Sequence, residues 1–258
     1  MCLIALALNV HPRWRCVLAA NRDEFHARPT APFAAWPDLE GVHGGRDRVA
    51  DGSWLAVRGA RLAAVTNVRR MAEGMTEGPS RGALVRDFAA GDDDAATYVR
   101  DLERRAPAYA GFNLLVIDGE ASWFASNRPG FGATALTPGI HVVANASLDT
   151  PWPKSERLRM AMSGWLAAGE DDPSALLDAL ADETPVSDAL LPDTGLSTAQ
   201  ERLLAPAFIR SPTYGTRAST VLFGDGTGHW YGLERRFGPD GRVDGDTLIA
   251  LAPRAARR

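Results

Sequence analysis

The 258-residue chain contains two cysteines, five histidines and, among 28 basic residues, a single lysine. Cys2 and Cys16 alone cannot build a disulfide framework, and no C-x-x-C pair or His/Cys cluster has metal-ligand spacing, so no metal is expected. An excess of either charge sign is also lacking. A formal net charge of -4 provides no basic field for nucleic acid or an anionic membrane. No apolar run approaches the ~20 residues of a membrane span, and residues 1–10 lack a basic start and a small-residue cleavage site. The expected setting is therefore cytoplasmic, with no integral membrane segment. Hydrophobic residues make up 45% and charged residues 23%, which excludes collagen-like, disordered and coiled-coil classes and leaves one globular domain over 1–258 with a sizeable core. Arginine replaces lysine everywhere except at Lys154, a bias that reads as coding composition and singles that residue out.

Apolar runs Leu3 to Leu8 and Arg15 to Ala20 flank the turn-like stretch 9–14 and predict a β-hairpin. With the turn centred near His11 and Pro12, partner numbers sum to about 23 or 24, which sets Cys2 opposite Asn21 or Arg22 and Cys16 opposite Ala7 or Leu8. The two cysteines are thus too far apart along the ladder to bond. Gly52 to Val57 and Arg61 to Asn67 predict a second strand pair, and Arg28 to Asp51, rich in Pro, Gly and Asp, reads as loop. Ser80 is a candidate cap for a helix through Ala89, and Asp92 to Asp94 head another from Ala95 to Arg105. Strand character returns at Phe112 to Ile117, Ala121 to Ser126 and Ile140 to Asn145, with Asp118-Gly119 as a hairpin turn. Helical periodicity marks Lys154 to Ala168 and Ala175 to Ala181, and the last strand candidates are Ser219 to Phe223, His229 to Glu234 and Thr247 to Leu251. Residues 183–198 read as an exposed loop. Hairpins at both ends with two central helix blocks point to α+β architecture with largely antiparallel sheets and helices on their outer faces.

Position 2 is chemically distinctive. Removal of the initiator methionine would leave a cysteine with both a thiol and a free α-amine, titrating near ~8.5 and ~7.7 to 8.0, so that one can take the other's proton at neutral pH. The plain alternative is a small apolar residue opening a strand. Asn21-Arg22-Asp23-Glu24 breaks an apolar strand with four polar residues at the end the register brings beside Cys2. There Arg22 can lower the thiol pKa and Asp23 can hold or orient the amine, the alternative being a solvated strand end with a surface ion pair.

Met-Cys-Leu-Ile at the start, Asn21-Arg22-Asp23-Glu24 and Arg28-Pro29-Thr30 resemble the NRDE family, which includes the transport and Golgi organisation proteins of animals. The resemblance continues through 52–57, 64–67, 145–154 and 214–220. It implies a fold like that of the N-terminal-nucleophile hydrolases, a four-layer αββα sandwich, and roles in haem trafficking or lipid metabolism. A more distant resemblance, to cysteine amidases of the bile salt hydrolase and penicillin acylase group, implies catalytic positions at Cys2, Arg22, Asp23, Asn67, Asn145 and Arg217. The Arg-Asp spacing departs from the amidase pattern at Arg22. Within that set Asn67 and Asn145 can donate to a tetrahedral oxyanion, and Arg217 can orient Asp23 or bind a substrate carboxylate. Asn21, Trp54 and Trp152, inside the matched words, are expected to contact substrate.

Pro153 fits a helix first turn, which leaves Lys154 expected at the surface. His11, His26, His43, His141 and His229 show no paired spacing, though any one can ligate haem iron. The glycine-rich stretch 224–228 joins two strands and reads as a hairpin turn rather than a phosphate loop, and no Gly-x-Ser-x-Gly elbow is present. Three functions fit these residues: hydrolysis of a non-peptide carbon–nitrogen bond through an acyl-enzyme on Cys2 without a cofactor, binding or trafficking of haem or an acylated small molecule in the same pocket, or a structural module with an idle site.

Overall fold

A computed structural model describes residues 2–70, 78–119, 121–169 and 171–253. The question of Met1 removal lies outside the described residues. The first hairpin, β1 (Cys2–Leu8) and β2 (Cys16–Phe25), pairs in antiparallel register with Cys2 opposite Arg22 and Cys16 opposite Leu8, one of the two registers the turn position allows. These strands are the middle of a six-stranded sheet completed by β10 (Gly139–Val143) on one side and by β11 (Tyr214–Gly224), β12 (Trp230–Phe237) and β13 (Val243–Leu251) on the other.

A second, seven-stranded antiparallel sheet runs in chain order from β3 (Thr30–Ala35) through β4 (His43–Asp47), β5 (Leu55–Arg58), β6 (Arg61–Asn67), β7 (Phe112–Asp118) and β8 (Ser122–Ser126) to β9 (Gly132–Ala135). The loop expected over 28–51 is replaced by β3 and β4. Pro32 is accommodated because β3 is an edge strand with a register shift between Ala31 and Ala34. Gly44 and Gly45 in β4 reflect close packing rather than a turn, since a Cβ at Gly45 would lie 2.1 Å from the Trp54 ring. Strand β9 also carries no apolar alternation and was not foreseen.

Three cores separate four layers. Leu6, Leu18, Leu62 and Leu115 fill the space between the sheets. Helices α1 (Gly82–Ala90) and α2 (Ala95–Arg105) pack Phe88 and Leu102 on the seven-stranded sheet. Helices α3 (Pro153–Ala168) and α4 (Ser174–Leu180) pack Leu158, Met162 and Leu177 on the six-stranded one. Truncating one of these fully buried leucines to alanine costs about 2–5 kcal/mol. The result is the αββα sandwich.

The helix ends follow from their sequence. Asp94 caps α2 through the Thr97 backbone N–H at 2.7 Å, whereas Ser80 reaches only the Gly82 N–H and the cap position of α1 falls to Arg81. Pro153 starts α3, and Gly169 ends it in the left-handed conformation at φ 66°. Beyond the 183–198 segment lies a short helix, α5 (Thr198–Leu204), started by a capping box between Ser197 and Gln200.

Candidate active site

In β1 the side chains of Ile4, Leu6 and Leu8 point between the sheets, and in β2 those of Leu18 and Ala20 do the same. The two-residue strand period places Cys2 and Arg22 on that face, at the end of the sandwich where the apolar filling stops. A cleft of about 150 Å³ opens there, lined by Cys2, Arg22, Asp23, Trp54, Asn67 and Arg81 among others. A larger cavity of about 880 Å³ adjoins it and shares Glu24, Arg28, Asn67, Ser80 and Arg81 as walls. The larger space does not touch Cys2, so any chemistry at the thiol belongs to the smaller cleft.

The Arg22 guanidinium is buried, with 5% of the residue exposed, stacks 4.3 Å above the Trp54 ring, and lies 4.0 Å from Glu24. Its Nη1 has no hydrogen-bond partner among the described residues. A buried donor of this kind costs free energy unless something it meets during function uses it. Burial raises the Cys2 thiol above its ordinary value and the Asp23 charge adds to that, while the amino-terminal charge, Arg22 and a hydrogen bond with the Asp23 backbone N–H pull it back. The expected effect of Arg22 therefore has the right sign, but burial outweighs it. Cys16, mid-strand and buried, is pushed up to about 12 by desolvation alone against a small opposing effect of Arg15.

Asp23, one residue on, projects to the opposite face of the sheet. Burial raises its carboxyl, whereas the Lys154 ammonium and a 2.7 Å hydrogen bond from the Thr216 hydroxyl hold it down. Lys154 is not at the surface as expected. It is 2% exposed and donates to the Leu204 carbonyl at 3.0 Å, and burial lowers its pKa to about 8 against the opposing pull of Asp23. The signal was present in the sequence: Lys154, Leu158, Met162 and Trp165 form one buried helical stripe.

Asn67, at the end of β6, lines both cavities. Asn145 is not a wall of the Cys2 cleft but lies directly behind Asn67, giving its amide hydrogens to the Asn67 backbone carbonyl at 3.1 Å and side-chain oxygen at 2.9 Å. Because a backbone carbonyl only accepts, the Asn145 nitrogen must be the atom that faces it. The Asn67 oxygen is then engaged and its NH₂ is left as the donor.

The remaining candidates are placed elsewhere. Asn21 is 1% exposed on the helix-facing side, where its amide reaches the carbonyls of Leu180 and Ala207 and its oxygen accepts from Ser219. Arg217 occupies a bulge in β11 and donates to the backbone carbonyls of Phe25 and Arg28, and Thr216 rather than Arg217 is bonded to Asp23. Trp152 is stacked under Arg69 at 5.0 Å and lines a separate cavity with Asn145. Sequence reasoning missed Arg81, and it missed the Arg28–Asp47 ion pair, which closes at 2.6 Å between the turn before β3 and the end of β4. Its partner Asp47 sat in the stretch taken for loop.

No group of three or more His, Cys, Asp or Glu among the described residues can hold a metal ion. Neither cavity has a histidine wall, so these residues offer haem iron no imidazole there. No helix among the described residues is long and apolar enough to cross a membrane.

Comparison with known proteins agrees with this architecture. The family model described as Transport and Golgi organisation 2 matches residues 1–239. The chain is 32% identical to the bovine Transport and Golgi organization protein 2 homolog over 262 residues, covering 91% of this chain and 92% of that protein. It is likewise 32% identical to the human homolog with the same coverage. Among solved structures, the Caenorhabditis elegans N-acylethanolamine-hydrolyzing acid amidase ortholog superposes with a TM-score of 0.50 at 12% identity, covering 96% of this chain and 100% of that one. That likeness establishes the N-terminal-nucleophile hydrolase-like fold.

Proposed function

The chain belongs to the Transport and Golgi organisation 2 (NRDE) family, and from that premise we propose that it is an amidohydrolase acting on a non-peptide carbon–nitrogen bond, with Cys2 as an N-terminal nucleophile. The observation that carries the reading is the orphaned, buried Nη1 of Arg22 in the same cleft as the Cys2 thiol and the Asn67 amide. Most buried donors in packed interiors are bonded, so an unmet one among the described residues beside the thiol supports a group kept for a ligand.

Once Met1 is removed, the α-amine takes the thiol proton and the sulfur attacks the amide carbon. A carbon–sulfur bond forms and the carbonyl electrons move to oxygen, where the Asn67 NH₂ stabilises the charge. The carbon–nitrogen bond then breaks, the leaving amine takes the proton from the ammonium, and a thioester remains. Water, deprotonated by the same amine, attacks that thioester; the carbon–sulfur bond breaks and the thiol is restored. Arg22 stabilises the thiolate, while Asp23, held by Thr216 and Lys154, keeps the amine in place.

The test is mass spectrometry on protein incubated with an acyl-amide library. An acyl adduct on Cys2, absent in Cys2→Ala protein that binds the same amide with similar affinity, is the expected result. Native protein that retains Met1, or that binds amides without adduct or turnover, would return the cleft to the binding or trafficking role.

A further inference from the structure

The two adjoining cavities differ in size and chemistry. The cleft at Cys2, about 150 Å³, has the volume of roughly five water molecules, room for the amide and a small substituent on its nitrogen. The neighbouring space of about 880 Å³ has apolar walls at Phe25, Val68, Leu203, Leu204 and Tyr214. Phe25 is 58% exposed and Leu203 43%, large apolar side chains left at the surface beside this cavity.

Arginines also line it. Arg28 is ion-paired with Asp47, and Arg69 is ion-paired with Glu201 at 3.1 Å. Arg81 differs. It is a wall of both cavities, at their junction, and its Nη1 donates to the neutral Gly111 carbonyl at 3.2 Å, with no carboxylate of the described residues in ion-pair contact. Its guanidinium thus retains donors and its charge beside the nucleophile. A planar fork of this kind matches a carboxylate in geometry as well as sign.

We infer that the substrate is an amphiphilic anion: a long-chain acyl amide of a small α-amino acid, its carboxylate on Arg81 and its acyl chain in the larger cavity. This rests on the amidohydrolase reading for turnover, though the recognition itself does not require it. The amino-acid portion sits in the small cleft with the scissile carbonyl at Cys2 and Asn67. The chain leaves past Phe25 and Tyr214. A neutral headgroup would forgo the charge-assisted bonds to Arg81, and a bulky one would exceed the cleft.

The test compares N-dodecanoylglycine with N-dodecanoylethanolamine, which share the chain and amide and differ in the charged end. Wild type is expected to favour the glycine conjugate at least about tenfold in kcat/KM, and Arg81→Gln to bring that ratio close to one. Equal rates on the two amides, or an unchanged ratio in folded Arg81→Gln, would overturn the inference. Should Arg81→Gln fail to fold, the wild-type ratio decides. If neither amide is hydrolysed, calorimetric titration of wild type separates the two ideas. A tenfold affinity preference for the carboxylate then upholds the inference while the hydrolase reading falls. Equal affinity, or no binding of either, refutes the inference itself.

Discussion

Asn145 turns its side-chain amide onto Asn67, and this contact joins two segments 78 residues apart at the edge of the Cys2 cleft. The strand end that carries Asn67 is held in a second place, where the Arg69 backbone N–H donates to the Asn145 carbonyl at 2.9 Å. In the proposed mechanism Asn145 is thus a positioning residue, and Asn67 the group that meets the substrate.

Double-mutant kinetics test this division. Asn67→Ala is expected to lower kcat by about 10²–10³ with little change in KM, the size typical of losing one oxyanion donor. Asn145→Ala should cost less, about tenfold, because the Asn67 amide remains but is no longer turned. In the double mutant the two effects should not multiply, since the second residue acts through the first. Multiplicative losses would show that Asn145 contributes independently.

Much of this site was legible in sequence because strand register is arithmetic. The turn near His11 and Pro12 set Cys2 opposite Asn21 or Arg22, and the observed pairing is with Arg22. What register did not show was the partners each side chain meets on its own face at a strand end. Asn21 and Asp23 sit beside Arg22 in sequence, yet they project to the helix side, where Asn21 is consumed by Leu180 and Ala207. Arg217 was displaced by a bulge, a feature without sequence alternation to mark it. Arg81 went unnoticed because its role depends on two cavities that exist only after the sheets have packed.

Thiol labelling tests the electrostatics of the first hairpin. Iodoacetamide should modify Cys2 in folded protein and spare Cys16, whose burial keeps the thiol protonated until unfolding. Arg22→Met removes one of the two cationic charges that counter the effect of burial at Cys2, the other being the amino terminus, so the labelling midpoint should move to higher pH. A midpoint that stays put in folded Arg22→Met protein would show that Arg22 does not act on the thiol.

Lys154→Met tests the buried lysine through stability. In the folded chain Lys154 titrates at about 8, below its unfolded value near ~10.4. Between these pH values the unfolded chain binds more protons than the folded one, so wild-type stability rises as pH rises across this window. The cost of burying the ammonium is therefore fully present below pH 8 and is released above it. Methionine has no such titration, although it leaves the Leu204 carbonyl without its donor, a loss of about 1–3 kcal/mol that does not vary with pH. The offset between the two proteins is therefore uninformative and the slope is what matters. Thermal melts from pH 7 to 10 should show the mutant comparing most favourably with wild type at pH 7 and progressively worse toward pH 10. A difference that stays flat over this range would mean that Lys154 keeps its proton throughout, and that its ammonium is held by Asp23 and the Leu204 carbonyl more strongly than burial weakens it.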